Sequence, residues 1–552
     1  MDNSQISEHF SLLSKLMDIH GENSFKSRTY SIAAYNVDQL DQPLADMPRE
    51  SIALLKGMQG SVGQKVVELL DTGHLSALDE IMALTPVGVV EMLQVKGLGP
   101  KKIHSIWKEM EIESLGELLY ACHENRLTRF KGFGAKTQQN IQEGIEYYMQ
   151  NQGHFLFAEM EELFPQVNGY LQKLFGEQHV AVTGRYRRHE TTLDEIVFEI
   201  QADISDVKPK FQTAQPPELL EETEQSLLYK LKNGLKLRLL TGKDPLPLRI
   251  FKSTGSPEFV NAFLKNYPVN AAGSGNDDRS VFAEAGLTWL PPFVRERADA
   301  LQMAADGNLP ALIETSDIRG IIHSHSTWSD GVHSLEQMAI ACRDKGWEYL
   351  VISDHSKSAT YARGLTEERI KEQHREIEAL NERMAPFRIF KSIECDILND
   401  GSMDYPDDVL ASFDLVIASV HSNLKMSEEK AMMRLTKAVN NPYVRILGHP
   451  TGRLLLSRRG YPVNHEQLID ACANAGVVLE INAHPRRLDL DWQWIQAARS
   501  KNVLLSIDPD AHSIEGFDDI RYGVLAAQKG WLSKEANLSS FNREAFEKFL
   551  KR

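Results

Sequence analysis

The chain has 552 residues, of which 42% are hydrophobic and 25% charged, and its formal net charge is −16 at pH 7. This length predicts three or four domains, and the negative charge excludes a protein that coats nucleic acid indiscriminately. No apolar run approaches a membrane span, the start MDNSQISEHF lacks a signal-peptide pattern, and the four cysteines are widely spaced. We therefore expect a cytoplasmic protein without membrane or disulfide framework.

In the first third of the chain, three segments share a pattern in which a pair of glycines precedes a helix. The pairs are Gly60 and Gly63, Gly97 and Gly99, and Gly132 and Gly134. Glycine permits a tight turn, and the next helix offers free N–H groups and a positive dipole end to an anion. Lys101, Lys102 and Lys136 are placed to reach the same phosphate. The pattern predicts helix, hairpin, helix units that hold the DNA backbone without sequence preference, with ordinary helix–helix turns as the alternative.

From Ile318 onward, short apolar runs alternate with helical patterns. The runs are IRGIIHSHS, YLVISDH, RIFKSIECDI, LVIASVH, VRILGHP, VVLEINAHP and VLLSIDPDAH. Such strand–helix units predict a parallel sheet, and about seven of them predict a closed or nearly closed barrel. Nearly every run carries a metal-ligand residue type at its end, and these ends converge on one barrel rim. The residues are His323, His325, Asp330, His355, Glu394, His421, His449, Asp510 and His512.

Nine candidate ligands exceed what one metal ion needs, so they predict two or three ions that share a carboxylate. Imidazole and carboxylate without thiolate suit manganese, zinc or iron better than magnesium or calcium. Such a cluster suits phosphate-ester hydrolysis, because one ion activates water while the others neutralise charge on the phosphate. Basic residues near the rim are candidates to clamp a substrate phosphate, with a solvated charge as the alternative for each. They are Lys357, Arg363, Arg453, Arg458 and Arg459.

The motifs HSHSTWSDG, SDHS, IECDILNDGSMDYPD, ASVHS, ILGHPTGRLL, LEINAHPRRLDL and DPDAHS resemble the PHP (polymerase and histidinol phosphatase) domain of bacterial family X DNA polymerases. The resemblance covers about residues 313 to 552. It implies a distorted β/α barrel with three divalent metal ions, usually manganese or zinc, and a 3′–5′ exonuclease, with action on damaged or 3′-phosphate ends as a further option. All nine residues match family ligands, with Glu394 as a bridge between two ions. We also assign Asp330, His355 and Glu394 a direct part in catalysis.

The N-terminal segments, with GENSFKSRTYSIAAY, resemble the helix-hairpin-helix region of the same polymerases. In relatives with 5′-deoxyribose phosphate lyase activity, a lysine after the first hairpin forms a Schiff base. That position is Leu69 here, and Lys65 matches a phosphate-contact lysine instead. Because leucine cannot form an imine, we expect no lyase activity of that type.

Residues 149 to 300 resemble the family X palm and thumb. The motif positions that fit are Gly184, Arg187, Arg188, Thr254, Gly255 and Ser256. The three metal-binding aspartates of the family, however, fall at Glu195, Val197 and Arg238. Nucleotidyl transfer needs two magnesium ions held by carboxylates, so we expect polymerase activity to be lost. A shift of the alignment to Asp194 or Glu199 does not restore the site, because LKLRLLTG contains no carboxylate.

Four arginines of this middle region have two interpretations. Arg185, Arg187, Arg188 and Arg238 either grip a phosphate together or are scattered surface charges. We retain Arg185 and Arg188, with Arg453 from the barrel, as candidate phosphate-binding residues.

The predicted architecture is multidomain. It consists of an α-helical helix-hairpin-helix region at 1–148, a degenerate α+β palm at 149–240, a thumb-like segment at 241–300, a linker at 301–317 and a distorted (β/α)7 barrel at 318–552.

The leading hypothesis is a DNA-repair enzyme that processes gapped, nicked or single-stranded 3′ ends. Three alternatives stay open at this point: an active gap-filling polymerase with an exonuclease, a small-molecule phosphatase of the histidinol phosphatase type, and a DNA-bound scaffold without activity.

Overall fold

A computed structural model of the chain describes residues 1–123, 127–151, 153–211, 217–231, 234–269, 277–307, 309–456 and 459–551. The chain divides into two units, Met1–Gln152 and Gly153–Arg552. Within the described ranges, no helix has both the length and the apolar character needed to cross a lipid bilayer. The finer domain boundaries given above stay predictions.

The first unit is helical. Its α-helices are α1 (Asn3–His20), α2 (Ser24–Asp38), α3 (Arg49–Ile52), α4 (Ser61–Thr72), α5 (Ser76–Ala83), α6 (Val87–Glu91), α7 (Pro100–His104), α8 (Leu115–His123) and α9 (Ala135–Asn151). The turns before α4, α7 and α9 contain Gly60, Gly97 and Gly132 at φ values of 66°, 92° and 92°. These left-handed conformations favour glycine, so three predicted turn glycines lie where the chain needs them.

Gly63 departs from the predicted pattern, because it lies inside α4 and not in the turn before it. A Cβ atom on Gly63 would lie 2.6 Å from the carbonyl oxygen of Met58 and 3.1 Å from Cβ of Ala53. The turn itself uses Gly57 (φ 79°) and Gly60. The assignment of Gly63 to the turn is therefore wrong, and its glycine is explained by the close approach of α4 to the preceding segment.

The second unit begins with a mixed α/β region. Its elements are β1 (Phe155–Leu156), α10 (Phe157–Phe175), β2 (Val180–Thr183), α11 (Gly184–Arg187), β3 (Thr192–Leu193), β4 (Glu195–Ile200), α12 (Ile204–Lys210), β5 (Glu218–Glu222), β6 (Ser226–Lys230) and β7 (Lys236–Leu240). Strands of this region form a sheet in the order β2-β4-β7-β6-β5, in which β4 and β7 run parallel. We call it the palm-like sheet.

Four helices follow the palm-like sheet: α13 (Leu246–Thr254), α14 (Pro257–Asn266), α15 (Arg279–Glu284) and α16 (Ala300–Asp306). A buried charge cluster holds this region to the sheet. Asp278, fully buried, accepts hydrogen bonds from Arg295 at 2.5 Å and from Arg187 at 2.9 Å. Arg188 donates to the carbonyl oxygen of Thr254 at 2.8 Å and to Glu296 at 2.9 Å. The arginines of the predicted palm motif therefore serve the packing of sheet against helices.

The remainder is a parallel barrel. Its elements are β8 (Gly320–Ile321), α17 (Leu335–Asp344), β9 (Tyr349–Ile352), α18 (Glu367–Met384), β10 (Arg388–Asp396), α19 (Asp407–Leu410), β11 (Leu415–Ser419), α20 (Glu428–Val439), β12 (Val444–Leu447), α21 (His465–Ala475), β13 (Val478–Asn482), α22 (Ile495–Ser500), β14 (Leu505–Asp508), α23 (Ile520–Lys529) and α24 (Arg543–Leu550). The strands pair in chain order from β8 to β14. A parallel bridge between Ser324 and Ala511 brings the two ends of this sheet together. The predicted nearly closed barrel is confirmed.

The barrel strands β9, β11 and β13 are buried along their length, as expected where helices cover the outside of a parallel sheet. Local sequence also starts the helices, because the side chains of Ser334, Thr366, Ser427 and Asn464 accept hydrogen bonds at the first turns of α17, α18, α20 and α21. At the end of the barrel where the strands begin, Phe546 of α24 stacks on Tyr349 with ring centroids 4.5 Å apart. The opposite rim is left for the site.

Candidate metal centre

The nine residues predicted as ligands all lie at the rim where the barrel strands end. Three of them have an unusual backbone: His323, His449 and Asp510 have φ values of 60°, 22° and 53°. Non-glycine residues in this left-handed region cost of order 1–3 kcal/mol and are enriched at functional sites. The segments that carry His323 and Asp510 are held together, because the N–H of His325 donates to the carbonyl oxygen of Ala511 at 2.8 Å. The rim thus joins residues that are far apart in sequence.

Glu394, fully buried on β10, is the centre of the arrangement. Its Oε1 lies 2.9 Å from Nε2 of His449, 3.1 Å from Nε2 of His421 and 3.3 Å from Nε2 of His323. Its Oε2 lies 2.9 Å from Nδ1 of His355 and 3.7 Å from Nε2 of His325. The two oxygens of one carboxylate therefore face different groups of imidazoles.

The two aspartates complete the cluster on either side of His325. Oδ1 of Asp510 lies 3.1 Å from Nε2 of His325 and 3.4 Å from Nε2 of His323. Asp330 lies 3.4 Å from Nε2 of His512 and 3.6 Å from Nε2 of His355. The ligand atoms form three overlapping groups, each compact enough for one ion: His325, Asp330, His355 and His512; His323, His325, Glu394 and Asp510; and His355, Glu394 and His421.

The chemistry of these atoms fits divalent metal ions. Within the described residues, Nε2 of His323, Nδ1 of His325 and Oε2 of Glu394 are buried without a hydrogen-bond partner. Buried polar atoms without partners are costly, and a bound cation removes that cost. The donors are imidazole nitrogens and carboxylate oxygens, which suit zinc, manganese or iron.

The charges of the cluster are strongly coupled. Burial opposes ionisation of Glu394, yet the imidazoles of His421, His323 and His355 lower its pKa well below the usual value. Burial alone would lower the pKa of His323, but Glu480, Asp510 and Glu394 raise it well above its usual value. For His325, burial and the neighbouring His512 and His355 lower the pKa to about 3. The site favours ionised carboxylates beside a neutral His325, which is a ligand state.

Sequence reasoning missed the buried carboxylates behind the ligands. Glu480 on β13 accepts from the N–H of His449 at 2.5 Å, and its other oxygen lies 2.5 Å from Nδ1 of His323. Asp396 accepts from Nδ1 of His421. Because Nδ1 of His323 and Nδ1 of His421 are engaged in this way, Nε2 of both imidazoles is turned to the cluster. Asp396 lies two residues after Glu394 on one strand, a spacing that could have shown it, whereas Glu480 carries no such signal.

Asp354, the neighbour of His355 in sequence, was also missed. It accepts hydrogen bonds from the backbone N–H and hydroxyl groups of Ser326 and Ser329, all between 2.6 and 3.1 Å. Gln373 of α18 donates to it at 2.7 Å. Asp354 thereby fixes the loop that leads to Asp330.

The rim cations predicted to clamp a phosphate are engaged elsewhere. Lys357 pairs with Glu367 at 3.5 Å, and Arg363 donates to the carbonyl oxygen of Ser329 at 2.7 Å. Arg453 pairs with Asp491 at 2.5 Å. These contacts speak against a phosphate role for the three side chains. Arg458 lies outside the described residues, and for Arg459 the role stays a prediction.

In the palm-like sheet, the three positions predicted to have lost polymerase aspartates are neighbours. Val197 and Arg238 are direct partners in the parallel register of β4 and β7. Nε of Arg238 donates to Glu195 at 2.9 Å. A fixed cation therefore occupies the carboxylate nearest to the predicted polymerase site.

Asp194 and Glu199, the two carboxylates that a shifted alignment would use, are likewise bound to arginine. Asp194 pairs with Arg185 at 3.2 Å, and the buried Glu199 pairs with Arg249 at 2.6 Å. Arg185 also donates to the carbonyl oxygen of Thr192 at 3.0 Å. Because Arg185 and Arg188 are bound to these groups, the geometry does not support the prediction that the arginines of this region bind one phosphate together. In the described part of this sheet, no three candidate ligands come together as they do at the barrel rim.

In the helical unit, the lysines predicted to contact phosphate differ in whether their amino groups are free to bind a ligand. Lys101 and Lys136 are exposed, whereas Nζ of Lys102 donates to the carbonyl oxygen of Gly97 at 3.1 Å. Gly99 and Gly134 immediately precede α7 and α9, and both are exposed. Leu69 is fully buried in the helical core. The DNA-binding role of these residues stays a prediction.

The barrel and its rim define a metal-dependent phosphoesterase joined to helical DNA-binding modules. Residues 1–75 match the helix-hairpin-helix domain family, and residues 89–146 match the SAM-like helix-hairpin-helix tandem family. The chain is 33% identical over 558 residues, 97% of each chain, to the DNA polymerase/3′-5′ exonuclease PolX of Bacillus subtilis. It belongs to the PolX family of bacterial family X DNA polymerases.

Shorter relatives match the barrel part alone. A probable phosphatase of Thermoanaerobacter sp. is 28% identical over 201 residues, which cover 34% of this chain and 77% of the relative. A probable phosphatase of Caldanaerobacter subterraneus is 33% identical over 110 residues, which cover 19% of this chain and 41% of the relative. The barrel is thus similar to proteins named as probable phosphatases.

Proposed function

We propose that the chain is a 3′–5′ exonuclease that trims gapped, nicked or single-stranded DNA ends during repair. The observation that carries this proposal is the convergence of nine histidine, aspartate and glutamate side chains around the buried Glu394. We further propose that these nine residues hold three divalent ions, manganese or zinc, with iron as a further option. The cytoplasmic location stays a prediction.

The side chains divide the work by position. Glu394 would hold the metal ions through both of its oxygens, because each oxygen faces a different set of imidazoles. Asp330 lies between His355 and His512 at the more exposed side of the cluster, where a DNA end can enter. Divalent ions held by these residues would supply Lewis-acid chemistry to a phosphate and would lower the pKa of a water molecule.

We propose that the palm-like sheet no longer transfers nucleotides. Two observations support this: Val197 offers no oxygen, and Arg238 binds Glu195 beside it. A guanidinium is always charged, so it repels the magnesium that the reaction requires. The absence of lyase activity is likewise proposed, from the apolar Leu69.

A small-molecule phosphatase is the second candidate. The two probable phosphatases that match the barrel favour it. The helix-hairpin-helix modules favour DNA, since a small phosphomonoester needs no backbone-binding module.

The test uses a 5′-labelled primer on a template with a short gap, incubated with manganese or magnesium, with and without nucleotides. We expect the wild type to shorten the primer with manganese. His323→Ala and Glu394→Ala should each lower the rate by more than about a hundredfold, because loss of a mere outer partner already costs about 10- to 100-fold.

His333→Ala is the matched control, because His333 lies in the same segment as His323 and accepts a hydrogen bond from Ile514 outside the nine residues. Its rate should equal that of the wild type. Primer extension that survives Glu394→Ala would show a working polymerase. Activity on p-nitrophenyl phosphate with none on DNA would favour the small-molecule phosphatase.

A further inference from the structure

One cation lies against the metal centre although no rim prediction included it. Nε of Arg487, on the loop after β13, lies 3.6 Å from Oδ2 of Asp510. The opposite oxygen of Asp510 faces His325 and His323. Arg487 therefore stands next to one of the nine residues, on the side away from the imidazoles, whereas Lys357, Arg363 and Arg453 form their ion pairs or hydrogen bonds elsewhere.

The backbone that carries Arg487 is fixed by Arg453. Nε of Arg453 donates to the carbonyl oxygen of Arg487 at 2.9 Å, and another of its nitrogens donates to the carbonyl oxygen of Leu488. The N–H of Arg487 donates to the carbonyl oxygen of His484 at 2.7 Å. Arg453, predicted to bind phosphate, thus stabilises the loop that carries Arg487 to the rim.

Most N–H groups of the Arg487 guanidinium are available to a ligand. Its side chain is 19% exposed. In the part of the chain that the structure describes, the guanidinium forms one ion pair, with Asp510, and no hydrogen bond. None of its nitrogens is among the fully buried atoms without a hydrogen-bond partner, so they are accessible to a ligand. An arginine presents five N–H donors in a planar fork that matches two oxygens of a phosphate. A partly buried guanidinium whose N–H groups make no hydrogen bond, beside the candidate metal ligands, has the chemistry to receive an anion.

We propose that Arg487 forms a phosphate-binding subsite of the metal centre, with its guanidinium donating to non-bridging oxygens of the substrate phosphate. The inference rests on the proposed hydrolysis of phosphate esters for its biological meaning. The subsite itself binds inorganic phosphate whether or not DNA is the substrate. Because a guanidinium recognises the phosphate group and no base, it contributes affinity without sequence preference.

The experiment measures binding of inorganic phosphate to the manganese-loaded full chain by the paramagnetic broadening of the phosphorus-31 resonance. Charge-assisted hydrogen bonds support an expected loss of about 10- to 100-fold in phosphate affinity for Arg487→Ala. The phosphate affinity of Arg487→Lys should lie between that of the wild type and that of Arg487→Ala, because lysine keeps the positive charge but lacks the planar pair of N–H donors. Manganese content, measured on the same samples by mass spectrometry, should not change.

Arg486→Ala is the control, because Arg486 is the adjacent arginine, is exposed and pairs with Glu159 at 3.4 Å. It should bind phosphate as the wild type does. If Arg487→Ala unfolds by circular dichroism, Arg487→Lys decides the question.

Two outcomes would overturn the subsite. Unchanged phosphate affinity in Arg487→Ala would show that no clamp exists, and lost manganese would show that Arg487 only positions Asp510. Failure of the proposed function looks different. In that case the wild type degrades no DNA and no p-nitrophenyl phosphate, while Arg487-dependent phosphate binding persists.

Discussion

The barrel and the palm-like sheet both carry carboxylates at their strands, but the partners of these carboxylates differ in kind. At the barrel rim, Glu394 faces five imidazoles, whose neutral form offers a lone pair to a cation. In the palm-like sheet, Glu195 and Asp194 face Arg238 and Arg185. A guanidinium holds its proton and its charge, so it occupies a carboxylate permanently. A carboxylate alone therefore does not make a metal site. Whether it can bind a metal ion depends on whether its neighbours are imidazoles or guanidinium groups.

The largest expected effect concerns stability in the polymerase-like region, where charge holds helices to the sheet. Asp278→Asn leaves the fully buried Arg295 without its counter-charge. We expect the free energy of unfolding to fall by about 3–5 kcal/mol. Chemical denaturation of both proteins measures this. Asp277→Asn, at an exposed neighbour, is the control and should change the value by less than about 0.5 kcal/mol.

The same pair has a pH signature. Burial alone would raise the pKa of Asp278, but Arg295 and Arg187 lower it well below the usual value. The stabilisation is therefore present above the pKa of the unfolded aspartate, about 3.9, and is lost as pH falls below it. The difference between wild type and Asp278→Asn should shrink in that acid range. A constant difference down to pH 3 would contradict this account.

The next effect tests whether partners outside the nine residues tune the barrel site. Glu480→Gln weakens the hold on Nδ1 of His323 and on the N–H of His449. We expect manganese affinity to fall by about 10- to 100-fold with little change in folding. Titration of manganese followed by electron paramagnetic resonance measures this. Glu466→Gln, on the exposed first turn of α21, should bind manganese as the wild type does.

The smallest effect would reveal how the polymerase-like site was closed. Arg238→Ala frees Glu195, but Val197 still offers no ligand. We expect a stability change of at most about 1 kcal/mol, unchanged hydrolysis and no primer extension. Primer extension by this variant would mean that the arginine alone blocks the site. In that case the guanidinium of Arg238, and not the loss of an aspartate at Val197, would account for the inactive palm-like sheet.

Much of the site could be predicted because most of its ligands follow directly after the apolar runs that form the strands. Parallel strands of a barrel bring their final residues to one rim, so His355, His421 and His449 could be placed together without coordinates. Glu480 and Arg487 could not, because their roles depend on which side chain lies across the rim. The same limit explains Arg453, whose charge suggested a phosphate while its contacts hold a loop.

The helical region shows the other limit. Gly97 and Gly132 were placed correctly, because a left-handed turn leaves a short and specific pattern before a helix. Gly63 shares that pattern for a different reason, the close approach of α4 to the segment that precedes it. Spacing alone does not separate a glycine needed for its φ angle from one needed for its small size.

The bridge between Ser324 and Ala511 has a consequence for biosynthesis. The rim is complete only when Asp510 and His512 have left the ribosome, whereas the helix-hairpin-helix unit ends at Gln152. Residue 512 lies 360 positions after residue 152, which corresponds to about 20–70 s of translation at roughly 5–20 residues per second. All residues of the helical unit are therefore synthesised well before the last residues of the rim, so a chain still on the ribosome can contain the first unit without a complete metal centre.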